Sequence, residues 1–392
     1  VAGGRLRVGV IGLGFGARVQ VPGFHLLAET EVVAVCSTRR ERAAAVAAEY
    51  GIPAVYTDYR ALLADPRVEA VSVATPPHLH HAMSITALLA GKHVLCEKPL
   101  ARTVAEARDM VRQAEAAGVV HMVDYELRFQ PARQYFKALV DSGYLGELRS
   151  VSVTIFRSSL ADPQGRPYGW LMERDLGGGM LGAVGAHVVD ALLWWFGPIA
   201  GVSGRLATAV RERRDPVTGR NRPVTADDTC VCLLQFAGGA LGSIHISGAA
   251  WHGSGEHLEA YGSDGTLALT GDGALLGGRR GDRTWSELPV PAPDDLTAPA
   301  GAPPLLLPFM RLARQFARAA RAGVPQSPTF HDGLRVEEVL GGVRKAARDG
   351  QWVSLLQPRR SGPGGGTGAP PTPARADARR PPAPSPRAPS TA

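Results

Sequence analysis

The sequence predicts a doubly wound, mainly parallel α/β sheet over residues 1–124, followed by an α+β domain with an open-faced, mainly antiparallel sheet over residues 125–357. Three observations predict it. Short apolar, strand-like runs alternate with helix-period stretches through the first third of the chain, as in a parallel sheet covered by helices. After about Asp124 that alternation stops, and alternating or β-branched runs take over, set off by turn-prone sequence such as Gly238-Gly239 and Ser263-Asp264-Gly265. The length, 392 residues, exceeds what one hydrophobic core usually supports.

The elements follow in order. Arg5 to Gly12 is an apolar strand running into Gly12-Leu13-Gly14-Phe15-Gly16-Ala17, with helix-compatible sequence behind it. In this G-x-G-x-x-A pattern the first glycine makes the turn, the second lets backbone approach a pyrophosphate, and the small third residue allows close helix packing. A second strand spans Glu31 to Cys36. The next residues, Ser37, Thr38, Arg39 and Arg40, stand where such a unit reads the adenosine ribose. Hydroxyls and guanidinium groups there favour a 2′-phosphate, so NADP is the expected cofactor and NAD the alternative. Helices near Arg39 to Tyr50 and Tyr59 to Leu63 lead to a buried strand at Ala70 to Ala74. Thr75 and Pro76 at its end could face the nicotinamide half, while His80 is either a functional contact or a helix-start residue. His93 to Cys96 is a further buried strand, ending in Glu97-Lys98-Pro99, before a helix at Thr103 to Ala117 and a strand at Val119 to Val123. Ligands bind at the carboxyl ends of such strands, so Lys98 is placed for chemistry; the plainer alternative is that it only pairs with Glu97.

In the second half, Ala132 to Val140 is an amphipathic helix, and strands are expected at Ser150 to Phe156, Thr229 to Phe236, Leu241 to Ile246 and His257 to Tyr261. An arginine-rich helix over Arg311 to Arg321 carries Phe309, Leu312 and Phe316 on its apolar face, which suits packing on the sheet or the first domain. Between them, helical spacing from Ala183 puts Ala183, His187, Asp190 and Trp194 on one face behind a glycine-rich entry. His187 and Asp190 either satisfy each other or act on a ligand.

Composition narrows the function classes. The net charge of +7 is mostly local: Pro358 to Ala392 holds six arginines against Asp377, leaving the rest of the chain near +2. That Pro/Gly/Ala/Ser-rich stretch, residues 358–392, is expected to be a disordered tail, so nucleic-acid binding is not expected. No uninterrupted apolar run of about 18 residues is present and no leader pattern is seen, so no membrane association and a cytoplasmic location are expected. Cys36, Cys96, Cys230 and Cys232 form no C-x-x-C pair and have no His at ligand spacing; neither a disulfide framework nor a metal site is expected.

Taken together, GLGFGA, ATPPHLH, AGKHVLCEKPL, Tyr125-Glu126-Leu127-Arg128-Phe129 followed by Pro131, GGGMLGAVGAHVVD, ADDTCVCLLQF and YGSDGTL make the chain resemble the glucose-fructose oxidoreductase, inositol dehydrogenase and MocA (Gfo/Idh/MocA) family over roughly residues 5 to 357. The resemblance implies a Rossmann domain plus an open-faced sheet domain. It also implies NAD(P)-linked oxidation or reduction of a sugar, cyclitol or related polyol, and assembly into homodimers or homotetramers through the second sheet. It carries the pyrophosphate loop onto Gly12 to Ala17, the ribose reader onto Ser37 to Arg39 and the nicotinamide-side loop onto Thr75, Pro76 and His80. Glu97 and Lys98 match a pair whose lysine touches cofactor and substrate, and His187 matches a histidine that binds or deprotonates the substrate hydroxyl. Where the family's dehydrogenases commonly have an Asp, four residues before that His, this chain has Ala183.

The proton of the alcohol needs an acceptor with a pKa near neutrality. Either His187 takes it while Lys98 polarises the oxygen, or Lys98 is the base with its pKa lowered by burial. Tyr125, Arg128, Arg157, Tyr168, Trp170 and Asp190 are the further candidates for substrate contact, with a structural role open for Arg128 and Trp170. A cofactor-bound sensor that kept the fold and lost turnover is the rival class.

Overall fold

The structure, a computed structural model, describes residues 4–292 and 294–355. The tail expected at 358–392 lies outside the described residues.

Six strands build the first sheet: β1 (Leu6–Ile11), β2 (Thr30–Cys36), β3 (Ala54–Tyr56), β4 (Ala70–Val73), β5 (His93–Glu97) and β6 (His121–Asp124). They lie parallel in the order β3-β2-β1-β4-β5-β6, the doubly wound arrangement whose crossovers change direction between β1 and β4. Every residue of β4 and β6 is buried, the polar Ser72 of β4 and His121 and Asp124 of β6 included, as in a parallel sheet covered on both faces. The crossovers carry α1 (Val21–His25), α2 (Arg40–Tyr50), α3 (Tyr59–Ala64), α4 (Pro77–Leu89) and α5 (Val104–Ala117). Thr103 caps α5, its hydroxyl accepting from Glu106 N.

The second half contributes α6 (Pro131–Asp141), β7 (Leu148–Phe156), α7 (Ala186–Phe196) and β8 (Ile199–Ala207), then the hairpin β9 (Glu212–Arg214) and β10 (Asn221–Pro223). After it come β11 (Thr229–Phe236), β12 (Leu241–Ser247), β13 (Gly255–Gly262), β14 (Gly265–Leu269), β15 (Leu275–Arg279) and β16 (Ser286–Glu287). Helices α8 (Leu306–Ala322) and α9 (Phe330–Asp349) and the short β17 (Val353–Ser354) follow. The large sheet runs β16-β15-β14-β13-β7-β12-β11-β8-β17, antiparallel throughout except for the parallel pair β7 and β12. Register sorts its side chains by face. Cys230, Cys232 and Leu234 lie opposite Ile246, Ile244 and Gly242, which in turn lie beside Ile155, Val153 and Val151, all buried. The alternate residues, Val231, Leu233 and Leu241 among them, are exposed. One face is covered and the other is open, as expected.

Trp195, Leu192 and Phe136 from α7 and α6 join the covered face in one apolar cluster that also contains Val94, Cys96 and Met110 of the first sheet and its helices. The two sheets therefore share a core. The arginine-rich helix α8 packs on the first sheet's helices: Phe309 stands edge-on to Phe24 at 5.1 Å, with Gly23 beneath it where a Cβ would meet the Phe309 ring at 2.4 Å. Helix α9, whose Thr329 and Asp332 form a reciprocal cap, packs between α5, α7 and β8.

One helical stretch, 174–196, is long and apolar enough to cross a bilayer by length and composition, although the sequence shows no uninterrupted apolar run there. Most of it is buried against the rest of the protein, and its apolar character is that of a core helix.

Candidate active site

Strand β5 delivers Glu97 to the carboxyl edge of the first sheet, and a cis Lys98–Pro99 peptide follows. Lys98 does not close an ion pair on Glu97. Its Nζ reaches across to the second half and donates to the Ala183 carbonyl at 2.7 Å. Ala183 belongs to a π-turn, Leu181–Gly185, that feeds directly into α7, and His187 follows one turn later. Lys98 and His187 thus line the same cavity, of about 270 Å³, together with Glu126, Arg133, Arg157 and Glu256. π-turns inside helices recur at functional sites, and this one supplies the carbonyl that holds the lysine.

The electrostatics of the cavity are uneven. Burial above all, and then the charges of Lys98, Arg133 and Arg157, push His187 well below the ordinary imidazole range, so the ring is neutral at physiological pH. Its Nδ1 has no partner among the described residues, and its Nε2 lies 3.9 Å from Glu126 Oε1. Glu126 opens the 3₁₀ turn Glu126–Phe129 just after β6. Burial, helped by the Glu97 charge and opposed by Lys98, pushes its carboxyl up to about 8. Beneath it, Gln20 Nε2 donates to both Glu97 Oε1 and Asp124 Oδ2 at 2.9 Å, and Ser72 Oγ donates to Gln20 Oε1 at 2.8 Å. Burial raises both of those carboxyls as well.

The cofactor side is formed by the β1–α1 turn. Gly12 has φ +97°, and a Cβ there would meet Ala74 O at 2.5 Å, so only glycine fits. Around Gly14 nothing lies within 4 Å of a built Cβ, which leaves the open approach a pyrophosphate needs. The close-packing role expected of Ala17 falls to Gly16, whose Cβ would sit 3.2 Å from Ala74 Cβ and Val10 Cγ1, while Ala17 is half-buried. Leu13 turns its side chain into the core and Phe15 is half-buried, so both would serve a cofactor through backbone. At the ribose end Ser37 Oγ accepts from Arg39 N at 3.3 Å; Thr38, Arg39 and Arg40 are exposed. Thr75 Oγ1 is buried without a partner among the described residues, the kind of orphaned hydroxyl a cofactor amide or ribose would satisfy, and Pro76 leads into α4 beside it. His80 is a clamp between loops: wholly buried, its two ring nitrogens lie 2.9 Å from Pro99 O and 2.8 Å from Thr75 O. These groups fit a dinucleotide, to be held by the Gly12–Gly16 turn, Ser37 to Arg39 and Thr75.

Of the expected substrate contacts, Arg157 lines the cavity, its Nη2 3.9 Å from Glu256 Oε2. Arg128 and Asp190 do not. They form a buried two-point ion pair at 2.8 and 2.6 Å that ties the turn after β6 to α7, with Asp332 and Ser327 completing the guanidinium. Asp190 therefore satisfies Arg128 rather than His187. Tyr125 is fully buried behind the imidazole, ring centroids 6.1 Å apart. Tyr168 lies under Arg222 at 4.1 Å, and neither it nor Trp170 lines the cavity. A second cleft of about 360 Å³, bordered by Tyr261, Arg279 and Trp285, lies at the far strands of the large sheet and is remote from Lys98. The sequence reading did not single out Glu126, Gln130, Arg133 or Glu256. Glu126 had one available signal, a second acid two residues beyond the strand-end Asp124, in a stretch already marked as a motif.

With that geometry in place, the comparisons with known proteins agree with one another. Residues 6–125 match the oxidoreductase family with an NAD-binding Rossmann fold, and residues 134–268 match the GFO/IDH/MocA C-terminal domain. An uncharacterized oxidoreductase of Synechocystis sp. is 34% identical over 359 residues, covering 89% of this chain and 96% of that protein. Levoglucosan dehydrogenase of Pseudarthrobacter phenanthrenivorans is 30% identical over 389 residues, 90% of this chain and 98% of that protein. A solved structure of levoglucosan dehydrogenase in complex with NADH and levoglucosan superposes with a TM-score of 0.83 at 28% identity, over 90% of this chain and all of that one. A strand order, a glycine turn and a lysine–histidine cavity, each derived from this chain, coincide with two adjoining family matches, and the chain belongs to the Gfo/Idh/MocA family of NAD-binding oxidoreductases.

Proposed function

We propose that this oxidoreductase exchanges a hydride between a nicotinamide cofactor and a secondary hydroxyl or carbonyl of a sugar or cyclitol, with NADP preferred over NAD. One observation carries the reading: Lys98, from the cofactor half, and His187, from the other, line a single cavity and are coupled through the Ala183 carbonyl. The bound cofactor supplies or accepts the hydride; the chain's own groups manage charge on the substrate oxygen. The Lys98 ammonium stands where it can stabilise an alkoxide, and such preorganised charge in a water-poor site is usually the largest contribution to rate. Neutral His187 holds the same oxygen as a hydrogen-bond partner. Arg157 and Glu256 at the rim, half of the arginine exposed, suit the remaining hydroxyls of a polyol. The relative with levoglucosan dehydrogenase activity supports a sugar as substrate. For the coenzyme, the support is the exposed Arg39 and Arg40 and the absence of a carboxylate at Ser37, since Arg grips a 2′-phosphate and an acid repels it. The open face of the large sheet, with Leu233 and Leu241 exposed, supports a homo-oligomer built through it, and the expected location is cytoplasmic.

The test follows nicotinamide absorbance while the purified protein is incubated with NADP+ or NAD+ and levoglucosan, glucose or myo-inositol, and with NADPH or NADH and L-sorbose. Turnover that Lys98→Met and His187→Asn each reduce by about a hundredfold or more is expected. Both variants at wild-type rate would remove the assignment. A lower Kd for NADP(H) than for NAD(H) is expected, and the reverse order rejects the coenzyme preference.

A further inference from the structure

We propose that Glu126 is a catalytic residue, the group that exchanges the reacting proton, touching the substrate oxygen opposite His187. This rests on the hydride-transfer reading and assigns it a residue. Glu126 is 1% exposed yet forms part of the cavity wall. Its Oε2 has no hydrogen-bond partner among the described residues, an uncommon state for a buried carboxyl oxygen. Its Oε1 stands 3.9 Å from His187 Nε2, too far for a direct hydrogen bond. A hydroxyl oxygen about 2.8 Å from each atom fits that gap. Glu256, the other carboxylate on the cavity, is committed to Arg133. Lys98 spends a donor on the Ala183 carbonyl and retains others for the substrate oxygen.

The surrounding charges favour Glu126 over the imidazole as proton carrier. The pair is faced by Glu97 and Lys98 at the end of β5, Asp124 at the end of β6, Arg133 on α6, Arg157 behind β7, Asp190 on α7 and Glu256 on β13. An imidazolium at His187 would stand among three cations, whereas a carboxylate at Glu126 would meet a mixed field, opposed by Glu97 and Asp190 and favoured by Lys98. Burial and the Glu97 charge hold the Glu126 carboxyl up to about 8, so at neutral pH it is an acid ready to donate. In carbonyl reduction its O–H bond breaks and the proton joins the substrate oxygen, which takes up the carbonyl electron pair as the carbon receives the hydride; Glu126 is left as carboxylate. Oxidation reverses each transfer. Reduction is therefore favoured at neutral pH, and oxidation accelerates as pH rises through about 8.

Single-turnover hydride transfer is measured against pH, in both directions, for the wild type, E126Q and E126D, beside cofactor Kd and an infrared titration of the substrate-free protein. E126Q is expected to lose about 10²-fold or more in rate and to lose the titration near pH 8, with cofactor Kd unchanged. E126D keeps a titrating profile. The carboxylic-acid band that E126Q removes is expected in the wild type at neutral pH. An E126Q variant with wild-type rate and profile overturns the proposal, and so does a wild type whose spectrum lacks that band. Failure of the wild type to turn over any compound in the panel is a different result: it removes the redox reading, while the infrared titration, needing no substrate, still decides whether Glu126 is an acid.

Discussion

Glu126 and Arg128, two residues apart in sequence, separate chemistry from support. Asp190 accepts two bonds from a guanidinium that is itself buried, and nothing but protein surrounds them. Removing one partner of such a pair leaves an uncompensated charge, at about 3–5 kcal/mol. Asp190→Ala is thus expected to lower the unfolding free energy obtained from urea denaturation, by less than that amount because Asp332 remains 3.3 Å from the Arg128 guanidinium, with cofactor affinity retained; a variant that loses sugar turnover at unchanged stability would return Asp190 to the substrate. Glu126 predicts the opposite kind of effect. Its carboxyl binds its proton more tightly when folded, with the folded value raised to about 8 from 4.5, so the unfolded chain releases that proton first as pH rises. Stability from this group is present below about pH 4.5 and is lost as pH climbs toward 8. E126Q removes the titration, and the wild type should therefore lose a few kcal/mol relative to E126Q between pH 5 and 8 in urea unfolding. Equal pH slopes would place the Glu126 carboxylate in a solvated or paired setting.

At the scale of elements, the β1–α1 turn makes two glycines do different things, and substitution separates them. Gly12→Ala meets both a positive φ and the Ala74 carbonyl at 2.5 Å, so melting temperature and cofactor affinity should fall together. Gly14→Ala has free space on the protein side, so the fold should survive while cofactor Kd rises tenfold or more, about 1.4 kcal/mol. A Gly14→Ala protein with unchanged Kd would mean that the phosphates do not pass there. The same elements show what a sequence discloses. Strands β1, β4 and β5 were legible because burial on both faces keeps them mainly apolar, with few polar residues such as Arg7 and Ser72, and β11 because one buried face demands alternation from Cys230 to Phe236. Helix α9 was not, since Gly333, Gly341 and Gly342 interrupt its pattern. At Gly333 and Gly342 a Cβ would strike Leu100 and Leu355 at 2.7 Å, and a close approach between distant elements leaves no local trace. Strand β8 was hidden likewise by Gly201 and Gly204, which lie against Trp352 and Val343. Lys98 and His187 were legible through strand-end position and family motif. The partners of Arg128 and the isolation of Glu126 depend on residues up to 204 positions away, beyond any spacing rule.

Across the described residues, the returning helices α8 and α9 cover the first sheet and the inner face of the second, and the outer face of the large sheet presents exposed aliphatic side chains on its central strands. Val231 and Leu233 on β11 and Leu241 on β12 are 41%, 54% and 59% exposed, with Ser243, Ser152 and Thr154 between and beside them. The same face also carries His245, Arg205 and Glu259 by register, and a self-complementary contact across it needs about 800 Å² from each partner. A two-fold contact sets the same residues against themselves, so a charge introduced there is doubled and opposed by its own image. The wild type is accordingly expected to sediment as a dimer or tetramer, and the double variant Leu233→Glu, Leu241→Glu as a monomer. Its circular dichroism should be unchanged, because neither side chain contributes to the covered face. The cavity lies on the opposite side of this sheet, lined by Ile155 and Glu256 from the inner register, so hydride transfer per chain should persist in the monomer. A wild type that sediments as a monomer at micromolar concentration would leave these aliphatic side chains exposed to water, and the sheet would have to be assigned some other partner.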